Sequence, residues 1–154
     1  MKTITLLCLI SITSGHLLAM AGPGAPDTIH KLFHEEFPTI ENPLFYREAD
    51  TFGVFFKTGI NSSERVFYNL DGEMIKTVKY YTENKLEPFI YERVKRKYKG
   101  KAIFGITEIE TTSEHFYEII LQGDNRWWVI KSDAMGFMQI ERRWRGNADN
   151  TAVN

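Results

Sequence analysis

His30 and His34 stand four residues apart in a stretch that reads as a helix, the spacing at which two imidazoles reach one metal ion. A third ligand would have to come from Glu35, Glu36 or the distant His115, and the sequence fixes none of them. Two solvated histidines account for the pair as simply. Glu108 and Glu110 are a second candidate, paired carboxylates suited to acid–base work. Alternation along a strand puts both on one face amid threonines, where a solvated sheet edge is the simpler account. Cys8 is the only cysteine, and no Gly-rich phosphate loop or Gly-x-Ser-x-Gly elbow occurs. The chemistry-bearing residues therefore assign no catalytic group, no metal and no cofactor, and the chain does not read as an enzyme. The basic run Arg93, Lys95, Arg96, Lys97, Lys99 and Lys101 is the remaining charged feature. Nineteen basic and 20 acidic residues nearly cancel, so no global field draws nucleic acid. The run reads as the wet back of an amphipathic helix.

That helix is the middle of the chain. Leu86, Ile90, Val94 and Tyr98 recur every fourth residue, which lines up one apolar face, and Gly100 follows as a stop. Before it, Lys2, the apolar run Thr3 to Ile12 and the small residues of Ala19-Met20-Ala21 predict a secretory signal peptide over 1–21, too short to span a membrane. Its removal takes the only cysteine with it, leaving a periplasmic or secreted product held together by burial alone. Residues 22–27 read as a Pro/Gly linker, and 145–154 as a flexible tail.

Between linker and tail the same order of elements is written twice. Ile29, Phe33 and Phe37 give a helix that Pro38 stops, capped by Asp27 or Thr28. Four extended segments follow: Leu44 to Ala49, Phe52 to Thr58, Arg65 to Leu70, and Met74 to Tyr81 after an Asp71-Gly72 hairpin. After the central helix come Ala102 to Thr111, Phe116 to Leu121, Trp127 to Lys131 and Phe137 to Trp144. Gly59 matches Gly123, and Gly72 matches Gly136, both at a spacing of 64, whereas Asp71 matches Asp133 at 62, implying two extra residues in the second hairpin. The expected architecture is α+β: one domain of two tandem helix-plus-four-strand repeats (28–81 and 85–144), forming one antiparallel sheet with both helices on one face.

The other face would then be open. Alternation places Phe55, Phe67, Phe116, Trp127, Phe137 and Arg143 on it, interleaved with charges, a composition suited to holding another protein. The rings could equally serve only to cover one another across strands.

The motifs Phe33-His34-Glu35-Glu36-Phe37-Pro38, Phe52 to Gly59, Tyr68-Asn69-Leu70-Asp71-Gly72-Glu73, Leu86 to Gly100 and Tyr117-Glu118-Ile119-Ile120-Leu121 together resemble the PepSY-like exported proteins of Bacteroides and its relatives, which are similar in fold to the tandem-repeat beta-lactamase inhibitor protein. The likeness spans about residues 28–144. Glu87 separates Leu86 from Pro88, where the family usually has that pair adjacent, and Asp133-Ala134-Met135-Gly136 stands in place of a plain Asp-Gly. The resemblance implies a non-catalytic periplasmic protein that binds, or inhibits, an unknown protein partner in the cell envelope. The rival reading is a small-ligand-binding protein or enzyme using a pocket between helix and sheet.

Overall fold

The structure, a computed structural model, describes residues 24–145. The predicted signal peptide and the segment beyond Arg145 read as a tail lie outside the described residues. The chain folds as α1 (Asp27–Glu36), β1 (Leu44–Glu48), β2 (Thr51–Gly59), β3 (Ser62–Tyr68), β4 (Met74–Tyr81), a 3-10 turn (Glu83–Lys85), α2 (Pro88–Lys97), β5 (Ala102–Thr111), β6 (His115–Gln122), β7 (Arg126–Asp133) and β8 (Met138–Arg145). The eight strands form one antiparallel sheet in sequence order. No helix among the described residues is long and apolar enough to cross a membrane.

Two hydrophobic clusters form the core. Ile29 and Phe33 of α1 pack on Phe52, Val54, Phe56, Val66 and Tyr68; Ile90 and Val94 of α2 pack on Tyr81, Ile106, Tyr117, Ile119, Leu121 and Ile130. The helices hold their strands by burial of these stripes rather than by caps, since neither helix has a side-chain N-cap. Pro88, at the first helical position, needs no N–H partner there. Ala25 is buried in the first cluster, so the segment before α1 packs where the sequence suggests a loose linker.

The hairpins that close β3–β4 and β7–β8 are built alike. Asn69 Oδ1 accepts from the amides of Asp71 and Glu73, and Asp133 Oδ1 accepts from those of Met135 and Phe137. Gly72 and Gly136 both adopt left-handed φ, +85° and +78°, a conformation glycine tolerates best. The equivalent of Asp133 is therefore Asn69, not Asp71, and the two turns are of equal length. Each turn rests on a helix: a side chain on Gly72 would strike Leu32, and one on Gly136 would strike Arg93 and Phe89.

Between the clusters, β4 and β5 form the centre of the sheet. Glu108 is therefore not at an edge, as alternation alone suggests. Its carboxylate accepts from the Tyr81 hydroxyl at 2.5 Å, with His115 Nε2 at 3.1 Å and Lys79 Nζ at 3.8 Å.

Candidate protein-binding face

Residues directly opposite one another in an antiparallel ladder share a face, so the register assigns every side chain. The core residues of the strands fall on one side. The other side carries Gly53, Phe55, Arg65, Phe67, Lys76, Val78, Tyr80, Thr107, Ile109, Phe116, Glu118, Val129, Lys131 and Trp127, row to row across the sheet. Phe55, Phe67, Phe116 and Trp127 of the sequence-predicted set lie on that side, each half-buried.

Cations lie over rings along this face. The Arg65 guanidinium sits 5.7 Å from the Phe55 ring centre and 5.6 Å from that of Tyr80; Lys76 lies 5.3 Å over Phe67, and Lys131 lies 3.6 Å over Phe116. Val78 and Ile109 are buried beneath this layer, on the side away from the core clusters. At the far end Trp127 is held between Phe104, edge-on at 4.9 Å, and Trp144, parallel at 6.2 Å. Phe104 and Trp144 remain 61% and 47% exposed, so this trio offers apolar surface to solvent.

Two members of the set fall elsewhere. β8 carries a bulge at Glu141: Ile130 faces Ile140 but Val129 faces Arg142. One extra residue reverses the alternation beyond it. Arg143 consequently lies opposite Trp128, which packs against the α2 cluster, and Trp144 takes the place on the open side expected for Arg143. Phe137 lies just outside the ladder, at the tip of the β7–β8 hairpin. There it lines one cleft with Lys131 and Gln139 and another with Arg93, Arg96 and Lys97.

Tyr46, Tyr80, Phe104 and Trp144 belong to the face but were not legible as such. Tyr46 lies flat over Gly53, whose missing Cβ would overlap the ring, and meets Phe67 edge-on. Burial raises the Tyr46 hydroxyl's pKa, and this group finds no hydrogen-bond partner among the described residues. The glycine at position 53 was the available signal, because a glycine inside an apolar strand often marks a covering aromatic.

His30 stacks on Phe45 at 3.7 Å, and His34 meets Phe33 edge-on at 5.5 Å, so both rings are engaged in packing around α1. Among the described residues no cluster of three or more His, Cys, Asp or Glu side chains is placed to hold a metal ion. A cleft of about 370 Å³ does lie between the end of α1 and strands β4 and β5, lined by Glu36, Glu64, Thr77, Lys79 and Glu110. Burial raises the pKa of Glu64 there, with Lys79 opposing and the neighbouring carboxylates reinforcing. The cleft holds carboxylates, the Lys79 ammonium and threonine hydroxyls.

No protein-family profile matches the chain, and no curated protein matches it in sequence. Solved structures do match its shape. A DUF2874 family protein from Bacteroides ovatus superposes with a TM-score of 0.64 at 15% identity, covering 80% of this chain and 89% of that one. A Bacteroides eggerthii protein provisionally named as periplasmic gives 0.62 at 13%, covering 79% and 88%. A BLIP-like protein from Bacteroides fragilis gives 0.60 at 10%, covering 83% and 92%. At such identities the likeness establishes the fold alone: this chain is an α+β protein with a single eight-stranded antiparallel sheet, similar in architecture to a BLIP-like protein.

Proposed function

We propose that the chain is a non-catalytic, PepSY-like binding module of the periplasm, which holds another protein against the open face of its sheet. In this reading both helices lie on the opposite face, and residues 28–81 and 85–144 are tandem copies of one unit. The matching hairpins on Gly72 and Gly136 support the duplication, as does the spacing of 61 between Ile29 and Ile90 and between Phe33 and Val94. The observation that carries the functional reading is that Phe55, Phe67, Phe116 and Trp127 share one face, with Arg65, Lys76 and Lys131 lying over the first three rings. Such surfaces provide binding energy through rigid rings in partly desolvated surroundings. The BLIP-like and periplasmic names of two structural relatives agree with it.

The test pairs capture with substitution. Immobilised protein should retain a partner from its native envelope extract. Phe67→Ala and Trp127→Ala should each keep the far-UV circular dichroism and lose the partner. Variants that unfold would show these rings to be a second core. Variants that fold and still capture would refute the face.

A further inference from the structure

A second surface lies at the other side of β8, and its chemistry differs from that of the open face. Residues 88–101 and 135–145 hold nine basic residues and only two acidic ones, in a chain whose net charge is −1. The structure brings these segments together. Arg93 Nη1 reaches the Gly136 carbonyl at 3.4 Å, Lys97 Nζ donates to the Met138 carbonyl at 2.8 Å, and Lys101 lies 4.6 Å over Trp128, the residue opposite Arg143. One basic stripe therefore runs along α2 and the outer edge of the sheet.

Large apolar side chains stand at one end of the stripe. Phe89, Met135 and Phe137 are 51%, 68% and 71% exposed. They flank one point, since a Cβ on Gly136 would sit 3.2 Å from the Phe89 ring, and Met135 and Phe137 are its chain neighbours. These residues project from a hairpin tip and a helix's first turn, and Phe137 stands beside the cleft that it lines with Arg93, Arg96 and Lys97.

The fold does not impose this arrangement. The matching hairpin on α1 also exposes apolar side chains, Leu70 and Leu32, but its charged neighbours are mostly acidic: Asp71, Glu73, Glu36 and Glu35, the last paired with Lys31. The same scaffold carries acid at one hairpin and base at the other.

We infer that the α2–β8 edge docks on an anionic phospholipid bilayer, with Phe89, Met135 and Phe137 entering the interface and Arg93, Arg96, Lys97 and Arg143 facing the headgroups. Exposed apolar side chains at the end of a basic stripe suit a soft surface that is apolar below and anionic above. The docking leaves the Phe67 and Trp127 face uncovered.

Co-sedimentation of the purified protein with vesicles tests this, using phosphatidylglycerol mixed with phosphatidylethanolamine against phosphatidylcholine alone. Intact mass should first confirm that the apolar segment 3–12 is absent, because it would bind lipid by itself. The protein should sediment with the anionic vesicles only, and salt should release it. Arg96→Gln with Lys97→Gln should lower partitioning about 25-fold, roughly fivefold per cation. Met135→Ser should lower it about tenfold. Trp127→Ala should leave it unchanged, which separates this surface from the open face. Equal sedimentation with both vesicles, indifference to these substitutions, or retention on polyglutamate without vesicle binding would each overturn the inference.

Discussion

Tyr68 supplies a sharp test of the core. Its ring is 2% exposed, and its hydroxyl has no hydrogen-bond partner among the described residues. Burial, reinforced by the charge of Glu36, pushes its pKa up to about 12 from 10. Tyr117 is likewise pushed up to about 12, by burial first and then by Glu108, Glu87 and Glu110. In both cases the folded chain keeps a proton that the unfolded chain releases earlier. Stability is therefore whole below pH 10 and falls as pH rises from 10 towards 12. Near pH 11 each tyrosine should cost the fold about 1.4 kcal/mol, one unit of unmatched titration. Tyr68→Phe removes one of these terms and, at neutral pH, also removes a polar atom buried without a partner. It should raise stability by about 1 kcal/mol at pH 7 and by about 2.4 kcal/mol near pH 11. Urea midpoints at several pH values, with tyrosinate absorbance followed in parallel, measure both quantities. Lysine titration affects parent and variant equally, so their difference isolates the hydroxyl. A Tyr68→Phe protein that is less stable at pH 7, or whose alkaline slope equals the parent's, would show that this hydroxyl is paired or wet and would refute the reasoning.

Tyr81→Phe should act in the opposite direction, losing about 1.5–3 kcal/mol at pH 7 because its hydroxyl donates to the Glu108 carboxylate; urea titration measures it. Glu64→Gln should stabilise the protein at pH 7, since burial opposes the charge on Glu64, and the advantage should shrink as pH falls through the raised carboxyl value towards 4.5; paired midpoints at about pH 4 and pH 7 decide it. Gly136→Ala should cost about 1–2 kcal/mol in thermal unfolding, because φ is +78° and the new methyl meets Arg93 Cδ at 2.8 Å. Phe33→Ala, at a fully buried ring, should cost about 3–5 kcal/mol in the same assay.

The elements were legible because their signals are local. Alternation and turn residues place β4 at Met74–Tyr81 and β5 at Ala102–Thr111, and the fourfold repeat of Ile90 and Val94 finds α2. Bulges are decided by pairing between strands, which no single strand records. Glu141 shows the consequence: one unpaired residue moves Arg143 to the α2 side and Trp144 to the other. Strand order is non-local too, so Glu108 reads as an edge residue until β4 and β6 are placed beside it. The pair Asp71-Gly72 marks the turn without organising it. Its organising group is the Asn69 side chain, two residues earlier, as Asp133 is in the second hairpin.

Strands β4 and β5 allow a comparison inside the molecule, because their two sides differ in what exposure has selected. On the side that carries the core clusters, the gap between the clusters is filled by Glu64, Lys79, Glu108, Glu110 and His115, the polar lining expected where no helix provides cover. On the reverse of the same strands stand Val78, Tyr80 and Ile109, sheltered by Phe67, Phe116 and the long side chains of Arg65 and Lys76. If lack of a covering helix alone determined composition, both sides would be polar. Cross-strand cover accounts for the burial of Val78 and Ile109, but it does not require the covering layer itself to be aromatic, nor Phe104 and Trp144 to stay exposed at its end. That excess of apolar surface, on the side where a charged lining would suffice for solubility, is the physical ground of the proposal that a partner covers it.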